Sequence, residues 1–193
     1  MVTEWSALCS PEDPVLVVPW TDPTNKVSFV DLRNNPYDFD EIPEAMQHPP
    51  LLQALRALNA TRSPVFTAKS DVWSLASEEL EVLRLELDLE SDDSRAGIGS
   101  YIDLMFRDRS IFASAAHQQQ WIGRLLRLAS RLDHPAATLE CTLRPALLDL
   151  RTAQEGYAVS VYLKAVGSDQ DNAEVVWAAA LADVVKLIRE LSR

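Results

Sequence analysis

Apolar residues recur at every second position in one stretch of the chain, EVLRLELDLE (81–90). Its leucines would share one face of an extended chain, and the charged residues between them would share the other. This period of two is typical of a strand with one buried and one wet face. The sequence therefore predicts a strand over 81–90, a turn over 91–99 and an answering strand in SYIDLMF (100–106).

Further strands are predicted where β-branched and aromatic residues cluster. These stretches are PVLVVPW (14–20), KVSFVDL (26–32), SPVFTAKSDVW (63–73) and GYAVSVYLKAVG (156–167). TLECTLRPALLDL (138–150) also begins as a strand, and we expect Pro145 to interrupt it because proline donates no ladder hydrogen bond. The turn residues of TDPTN (21–25) favour a hairpin between the first two strands.

Helices are predicted where apolar residues recur at spacings of three and four. The stripes cover 50–60, 114–132 and about 172–192, and a short helix is expected near Asp40 and Pro43. The last long helix is expected to start with a capping box formed by Asp171 and Glu174.

The element order predicts an α+β fold, with a mostly antiparallel sheet and the three long helices packed on one face. Residues 1–13 are polar and expected to be loose, and 14–193 are expected to form a single domain. The predicted order ββαβ occurs twice, over 14–73 and 81–144, and SFVDL (28–32) echoes SYIDL (100–104). Either a duplication or a chance repetition of common α+β elements accounts for this order.

The chain carries a net charge of −11, with 29 acidic and 18 basic residues among 193. Phosphate backbones and anionic membrane surfaces repel such a protein, so we expect no nucleic-acid and no membrane partner. The acidity suits either solubility or a basic partner. Two cysteines, Cys9 and Cys141, lie far apart and outside any CxxC motif, which fits reduced thiols and a cytoplasmic location.

Sequence motifs for cofactor or metal binding are incomplete, so no cofactor is predicted. Gly97 and Gly99 precede a predicted strand, whereas a phosphate-binding loop opens a helix. The acidic stretch 88–99 lacks the glycine and the final glutamate of a calcium loop. The three histidines, His48, His117 and His134, are scattered along the chain.

Two carboxylates, Asp31 and Asp103, fall inside predicted apolar strands, on the faces shared with Phe29 and Tyr101. Aspartate is unfavourable in the middle of a strand. If these faces are buried, each carboxylate needs a partner and becomes a candidate binding or catalytic group. If the faces are wet, the two aspartates need no special role.

A basic stripe runs along the predicted helix 114–132. His117, Arg124, Arg127 and Arg131 recur at helical spacings, with Gln120 among them. One interpretation is a docking face for an acidic partner or an anionic ligand. The alternatives are a solvated helix face, or pairing with the acidic face of the predicted strand 81–90. Near the N-terminus, Trp5 and Trp20 either cover a groove or anchor that segment.

From residue 50 onward the predicted order is helix, three strands, helix, two strands, helix. This order, together with the acidity, resembles the type III secretion chaperone-like fold. The resemblance implies a small, non-enzymatic, often dimeric protein that binds a protein partner. The leading prediction is therefore a non-catalytic interaction module of chaperone, inhibitor or immunity type. The alternatives are a small-molecule-binding domain, or an enzyme whose site contains Asp31, Asp103 and the histidines.

Overall fold

The computed structural model describes residues 1–10, 12–21, 28–33, 35, 37–89, 94–148 and 153–191. The strands within them are β1 (Val2–Ala7), β2 (Leu16–Val18), β3 (Val65–Ser74), β4 (Ala96–Phe106), β5 (Ala137–Leu148) and β6 (Gln154–Gly167). The α-helices are α1 (Pro43–Gln47), α2 (Pro49–Asn59), α3 (Ser77–Leu87), α4 (Arg109–Phe112), α5 (Ala115–Ala129) and α6 (Gln170–Glu190), and Phe39–Glu41 form a 3₁₀ turn. The α+β class is confirmed.

One sheet contains all six of these strands. Five of them follow the order β1-β5-β6-β4-β3, and the sixth, β2, also pairs with β5. The pairs β3–β4, β4–β6 and β5–β6 are antiparallel. β1 and β2 both pair in parallel with β5, one after the other along its outer edge. Pro145 does not interrupt β5. The stretch of β5 that pairs with β1 ends at Leu143, and the stretch that pairs with β2 begins at Ala146. Pro145 lies between these two stretches.

The long helices α2, α5 and α6 cover one face of the sheet, as predicted. This helix face carries Ile102, Cys141 and Val161, which lie directly opposite one another on neighbouring strands. Trp177 of α6 is fully buried against it, and its indole N–H donates a 2.8 Å hydrogen bond to Ser100 Oγ. Burial of these apolar side chains is the main stabilising contribution to the fold.

The predicted strand 81–90 is wrong, since residues 77–87 form helix α3. Leu80 and Leu83 are buried three residues apart, whereas Leu85 is 83% exposed. Leucine, glutamate and arginine favour helices, and the alternation concealed this helical spacing. Residue 90 and the first three residues of the predicted turn, 91–93, lie outside the described residues, and Ala96 already begins β4.

Helix α3 packs on the opposite face of the sheet from the three long helices. Leu80 and Leu83 form a separate apolar cluster with Val166 of β6. Gly97 of β4 lies directly opposite Val166, and a Cβ atom there would come within 2.7 Å of the Leu75 side chain. The absence of a side chain at Gly97 therefore admits the segment that leads into α3, which explains this glycine without a phosphate loop.

Residues 28–32 do not form the predicted strand, and residues 26 and 27 lie outside the described residues together with most of the turn 21–25. Asp31 instead makes a local turn, because its Oδ1 accepts a 3.0 Å hydrogen bond from the backbone N–H of Arg33. The two ββαβ orders that suggested a duplication are therefore not present in the described residues.

The N-terminus also differs from its prediction, since Val2–Ala7 form the edge strand β1 and are not loose. Helix α6 begins two residues earlier than expected, and Asp169 caps it by accepting from the backbone N–H of Asn172 at 2.8 Å. Glu174, the other half of the predicted capping box, contacts His48 at 3.3 Å. Among the described residues, no helix is both long and apolar enough to cross a membrane.

Candidate functional site

The sheet face opposite the long helices is polar at its centre. Residues directly opposite one another in a sheet share a face, so one row crosses it through Asp71, Tyr101, Tyr162, Glu140 and Glu4. Antiparallel sheets commonly have one apolar face and one polar, solvated face. A polar row therefore needs an explanation only where something covers it. We call this surface the polar face.

Asp103 lies in the next row of the polar face, opposite Ser160 of β6. Its side chain is 0% exposed, so the alternative of a wet mid-strand aspartate is excluded. Arg144 Nη2 donates to Asp103 Oδ1 at 2.5 Å, and Ser160 Oγ donates to the same oxygen at 2.6 Å. The buried carboxylate has the partner that its position requires.

The pair leaves two buried polar atoms unused. Four buried side-chain atoms of the described residues have no hydrogen-bond partner, and two of them are Asp103 Oδ2 and Arg144 Nε. The first is an acceptor and the second is a donor. Buried polar groups are nearly always hydrogen-bonded, so an unused acceptor beside an unused donor needs an explanation.

An open cavity of about 500 Å³ lies over this pair, and we call it the Asp103 cleft. Its lining consists of residues 14–17, Trp20, Thr21, Lys69, Tyr101, Asp103, Arg144 and Tyr162. A second cavity of about 350 Å³ shares Trp20, Thr21, Lys69 and Tyr101 with it. Both volumes lie within the range of small-molecule sites in proteins.

Trp20 stands at the boundary between the two cavities. Its indole N–H donates to the Ala68 carbonyl at 3.1 Å, and the Lys69 Nζ atom lies 4.9 Å from the centre of its ring. These contacts fix the ring at the rim of the Asp103 cleft. Of the two interpretations of the N-terminal tryptophans, the structure places Trp20 beside a groove, whereas Trp5 is 48% exposed on β1.

Two tyrosines complete the wall beside the pair, with ring centres 5.8 Å apart. Burial, together with Asp103 and Asp71, raises the pKa of Tyr101 to about 12. Burial also raises the pKa of Tyr162, with further contributions from Asp103 and Glu140. Both hydroxyls therefore stay protonated at neutral pH and remain available as hydrogen-bond donors.

Asp31 lies apart from this site and has a partner of its own. Arg33 Nε donates to Asp31 Oδ1 at 2.8 Å, and Arg33 Nη2 donates to Asp31 Oδ2 at 2.7 Å. The two aspartates singled out from the sequence are thus each paired with an arginine, and Asp31 is absent from the lining of the Asp103 cleft.

The histidines do not join either aspartate. His48 contacts Glu174 at 3.3 Å, and His134 contacts Asp183 at 2.9 Å. The His117 ring lies 3.4 Å from the Ser110 carbonyl. Within the described residues, no group of three or more histidine, cysteine or acidic side chains is placed to hold a metal ion. Cys9 and Cys141 are free thiols.

The basic stripe predicted on this helix is exposed: His117, Arg124 and Arg127 lie on α5, and Arg131 lies in the turn that follows it. None of the three arginines forms an ion pair with another described residue. Pairing with an acidic strand at 81–90 is wrong, because that segment is α3 and packs on the opposite face of the sheet. The stripe is therefore the solvated side of an amphipathic helix, and a docking role for it stays a prediction.

Sequence reasoning missed Arg144, Lys69, Ser160 and Tyr162 as site residues. Arg144 lies 41 positions from Asp103, and only the pairing of β5 with β6 and of β6 with β4 brings them together. The mid-strand position of Asp103 was the signal that a partner was needed, but it did not identify that partner. Comparison with protein-family models, curated proteins and solved structures finds no match.

Proposed function

We propose that this chain is a non-catalytic binding protein that holds a small polar molecule in the Asp103 cleft. One observation carries the proposal: an open cavity of about 500 Å³ is lined by aromatic side chains, by Lys69 and by Arg144, whose guanidinium is held by the buried carboxylate of Asp103. Ligand sites are typically concave and offer a few convergent polar groups among apolar and aromatic side chains.

The energetics of the pair support this proposal. A buried polar atom without a partner costs about 1 to 3 kcal/mol, and the pair contains two such atoms. An ion pair that served stability alone is often replaced by apolar residues without loss. The cost of the pair therefore fits a role beyond stability, which is to hold the Arg144 guanidinium at the cleft.

The enzyme alternative required Asp31, Asp103 and the histidines to converge in one cleft. Asp31 forms an ion pair with Arg33, and His48 and His134 contact acidic residues of α6. A general base must reach the proton that it abstracts. The separation of these groups therefore supports binding over catalysis.

The test is native mass spectrometry of the protein gently purified from its own host. We expect a small-molecule adduct on the wild-type chain, and loss of that adduct in the double variant Asp103→Leu/Arg144→Met. The apolar replacement removes both unused atoms together, so it is expected to keep the fold to within about 2 kcal/mol. The matched control is Asp31→Asn/Arg33→Gln, which should retain the adduct. A wild-type chain with no adduct, and no ligand in a fragment screen, would contradict the proposal.

A second candidate function, protein–protein interaction, is favoured by the edge of the sheet. β1 is an edge strand, and three large apolar side chains in or next to it are exposed: Val2 by 39%, Trp5 by 48% and Leu8 by 41%. An exposed apolar edge is suited to addition of a strand from another chain, whether a partner protein or a second copy in a homodimer. The resemblance to the type III secretion chaperone-like fold belongs to this candidate, with helix α3 where one strand was expected.

Proline substitution tests this second candidate. Thr3→Pro and Glu4→Pro remove the N–H from two consecutive residues of β1, whose N–H groups point to opposite sides of the strand, so one of the two variants removes a donor that points outward. If the edge binds another chain, that variant should lose the partner or the dimer in size-exclusion chromatography with light scattering, while the adduct in the Asp103 cleft remains. A wild-type chain that elutes as a monomer and captures no protein would contradict it.

A further inference from the structure

We propose that the outer edge of β1 pairs with an extended segment of another protein, in which basic and apolar side chains alternate. The basic side chains of the added strand would lie on the polar face, and an apolar side chain would lie beside Trp5. This inference rests on the second candidate function, strand addition at β1. It goes further because it names the chemistry of the added strand.

The two edges of the sheet differ in how they are protected. β3 forms one edge, where its register shifts between Thr67 and Ser70 and the Trp20 indole N–H donates to the Ala68 carbonyl. β1 forms the other edge and pairs with β5 in unbroken register, and no other described strand pairs with it. Its sequence, VTEWSA, contains neither lysine nor proline. Proteins usually block an unused edge with a bulge, lysine, proline or a covering segment, so the edge at β1 is open to another strand.

The pairing of β1 with β5 shows which side chains an added strand would meet on each face. Glu4 lies directly opposite Glu140 and shares the polar face, whereas Trp5 lies opposite Cys141 and shares the helix face. Residues directly opposite one another on an added strand would share these faces too. The residue opposite Glu4 would therefore lie on the polar face, and its neighbour opposite Trp5 would lie on the helix face.

The basic side chains are inferred from the carboxylates beside this edge. Glu4 and Glu140 are neighbours on β1 and β5, and α3 brings Glu86 close enough to interact with both. Partial burial and then the Glu4 carboxylate raise the pKa of Glu86, with a smaller rise from Glu140 and an opposing effect of Lys164. Glu4 forms no ion pair with another described residue. Lysine or arginine opposite Glu4 would form a favourable cross-strand pair with it.

The apolar side chain is inferred from Trp5. Its indole is 48% exposed, although Cys141 directly opposite on β5 is fully buried. An added strand would cover the outer side of this ring. A β-branched residue opposite an aromatic ring is a favourable cross-strand pair, and it removes apolar surface from water.

The same charges disfavour a second copy of this chain as the occupant. Where two β1 strands pair antiparallel near their centres, the two Glu4 carboxylates lie on one face, directly opposite each other or on a diagonal. Like charges in these positions are destabilising. A basic partner is instead attracted to a chain with a net charge of −11.

The experiment measures fluorescence anisotropy of labelled peptides with the full chain at about 0.15 M NaCl, where general charge attraction is screened. The probe is a peptide of alternating lysine and valine. One control replaces every lysine by glutamate, and the other has the same composition with all lysines in one block and all valines in another. We expect the alternating lysine–valine peptide to bind about tenfold or more tightly than either control.

Variants and hydrogen exchange assign the binding to β1. Glu4→Lys should weaken binding of the lysine–valine peptide about tenfold, because it replaces an attraction by a repulsion. The matched control is Glu190→Lys on α6, an exposed position with the same change of charge, which should leave binding unchanged. The peptide should also slow deuterium exchange of the backbone amides of residues 2–7.

The outcomes separate the inference from the function on which it rests. Equal or tighter binding of the glutamate–valine peptide, with protection of β1, would overturn the basic chemistry and leave strand addition standing. Equal binding of the block peptide, or equal losses for Glu4→Lys and Glu190→Lys, would overturn the inference as general charge attraction. If no peptide binds and the chain is a dimer that a β1 proline variant dissociates, the occupant is a second copy and only the inference is wrong. If no peptide binds and the chain is a monomer, both are wrong.

Discussion

The Asp31–Arg33 and Asp103–Arg144 pairs contain the same two residue types and differ in geometry. Asp31 and Arg33 lie two residues apart in one turn, and the guanidinium meets the carboxylate as a two-bond fork. Asp103 and Arg144 lie on strands that are separated by β6, and one bond joins them. The local pair is free to adjust until both bonds form, whereas the sheet fixes the distance across the buried pair. The buried pair therefore keeps two polar atoms, Asp103 Oδ2 and Arg144 Nε, without a hydrogen-bond partner.

The largest expected effect follows from removing each carboxylate. Asp103→Ala leaves a mostly buried guanidinium without its partner, so the free energy of unfolding should fall by about 3 kcal/mol or more. Asp31→Ala removes a carboxylate that is 23% exposed, whereas Asp103 is fully buried, so the cost should be smaller, about 1 to 2 kcal/mol. Urea denaturation followed by tryptophan fluorescence measures both changes. Equal losses for the two variants would remove the distinction between the pairs.

Alkaline pH sharpens the comparison through Tyr101, whose pKa is raised from 10.0 to about 12 beside Asp103. The folded chain holds this proton more tightly than the unfolded chain, so stability is complete below pH 10 and declines as pH rises from 10 to 12. Tyr101→Phe should make that decline shallower, by less than the full shift implies because the ring is partly exposed. Unfolding curves at pH 9, 10 and 11 give the slope. Identical slopes for the variant and the wild type would show that Tyr101 is not perturbed.

Salt provides a smaller effect with opposite expectations for the two pairs. Raising NaCl from about 0.05 to 1 M shortens the screening length to about 3 Å, which acts on exposed charges far more than on buried ones. The cost of Asp31→Ala should shrink, and the cost of Asp103→Ala should stay nearly constant. The same urea series at two salt concentrations measures this. A cost of Asp103→Ala that shrinks as much as that of Asp31→Ala would indicate a solvated pair.

The smallest effect is expected at the basic stripe of α5. Arg124→Glu/Arg127→Glu reverses two exposed charges that pair with no other described residue, so stability should change by less than about 0.5 kcal/mol. The adduct of the Asp103 cleft should also be unchanged in native mass spectrometry, which controls for the general effect of net charge on ligand binding. A large loss of the adduct would place the ligand site on α5. Unchanged capture of every protein partner would contradict the docking hypothesis for this stripe.

Much of the fold could be predicted because periodicity reports burial directly. The stripes of α2, α5 and α6 and the apolar runs of β4 and β6 each face one core. The same rule failed at α3, where leucines at alternate positions also fit a helix that buries only Leu80 and Leu83 deeply. It failed at residues 28–32 because the Asp31 side chain stabilises a turn that an apolar count does not register.

The candidate site could be predicted only in part. A mid-strand aspartate on the side of Tyr101 identified Asp103, since such a residue needs a partner if it is buried. The partner depended on strand order, which places β6 between β4 and β5. Asp31 had the same sequence signature and formed a local turn instead. Sequence position therefore indicated where a charge needed a partner, and topology decided whether that partner left room for a ligand.

The most direct test of the account is nuclear magnetic resonance of the arginine Nε–H groups in ¹⁵N-labelled protein, with and without the small molecule released from the native protein. The account predicts that the buried Arg144 Nε–H signal exchanges slowly with solvent in the free protein and shifts when that molecule is added. The Arg33 Nε–H signal, already bonded to Asp31, should not move. An Arg144 signal that does not move when the molecule is added would contradict the account, because it would show that the Arg144 guanidinium does not lie at the binding site.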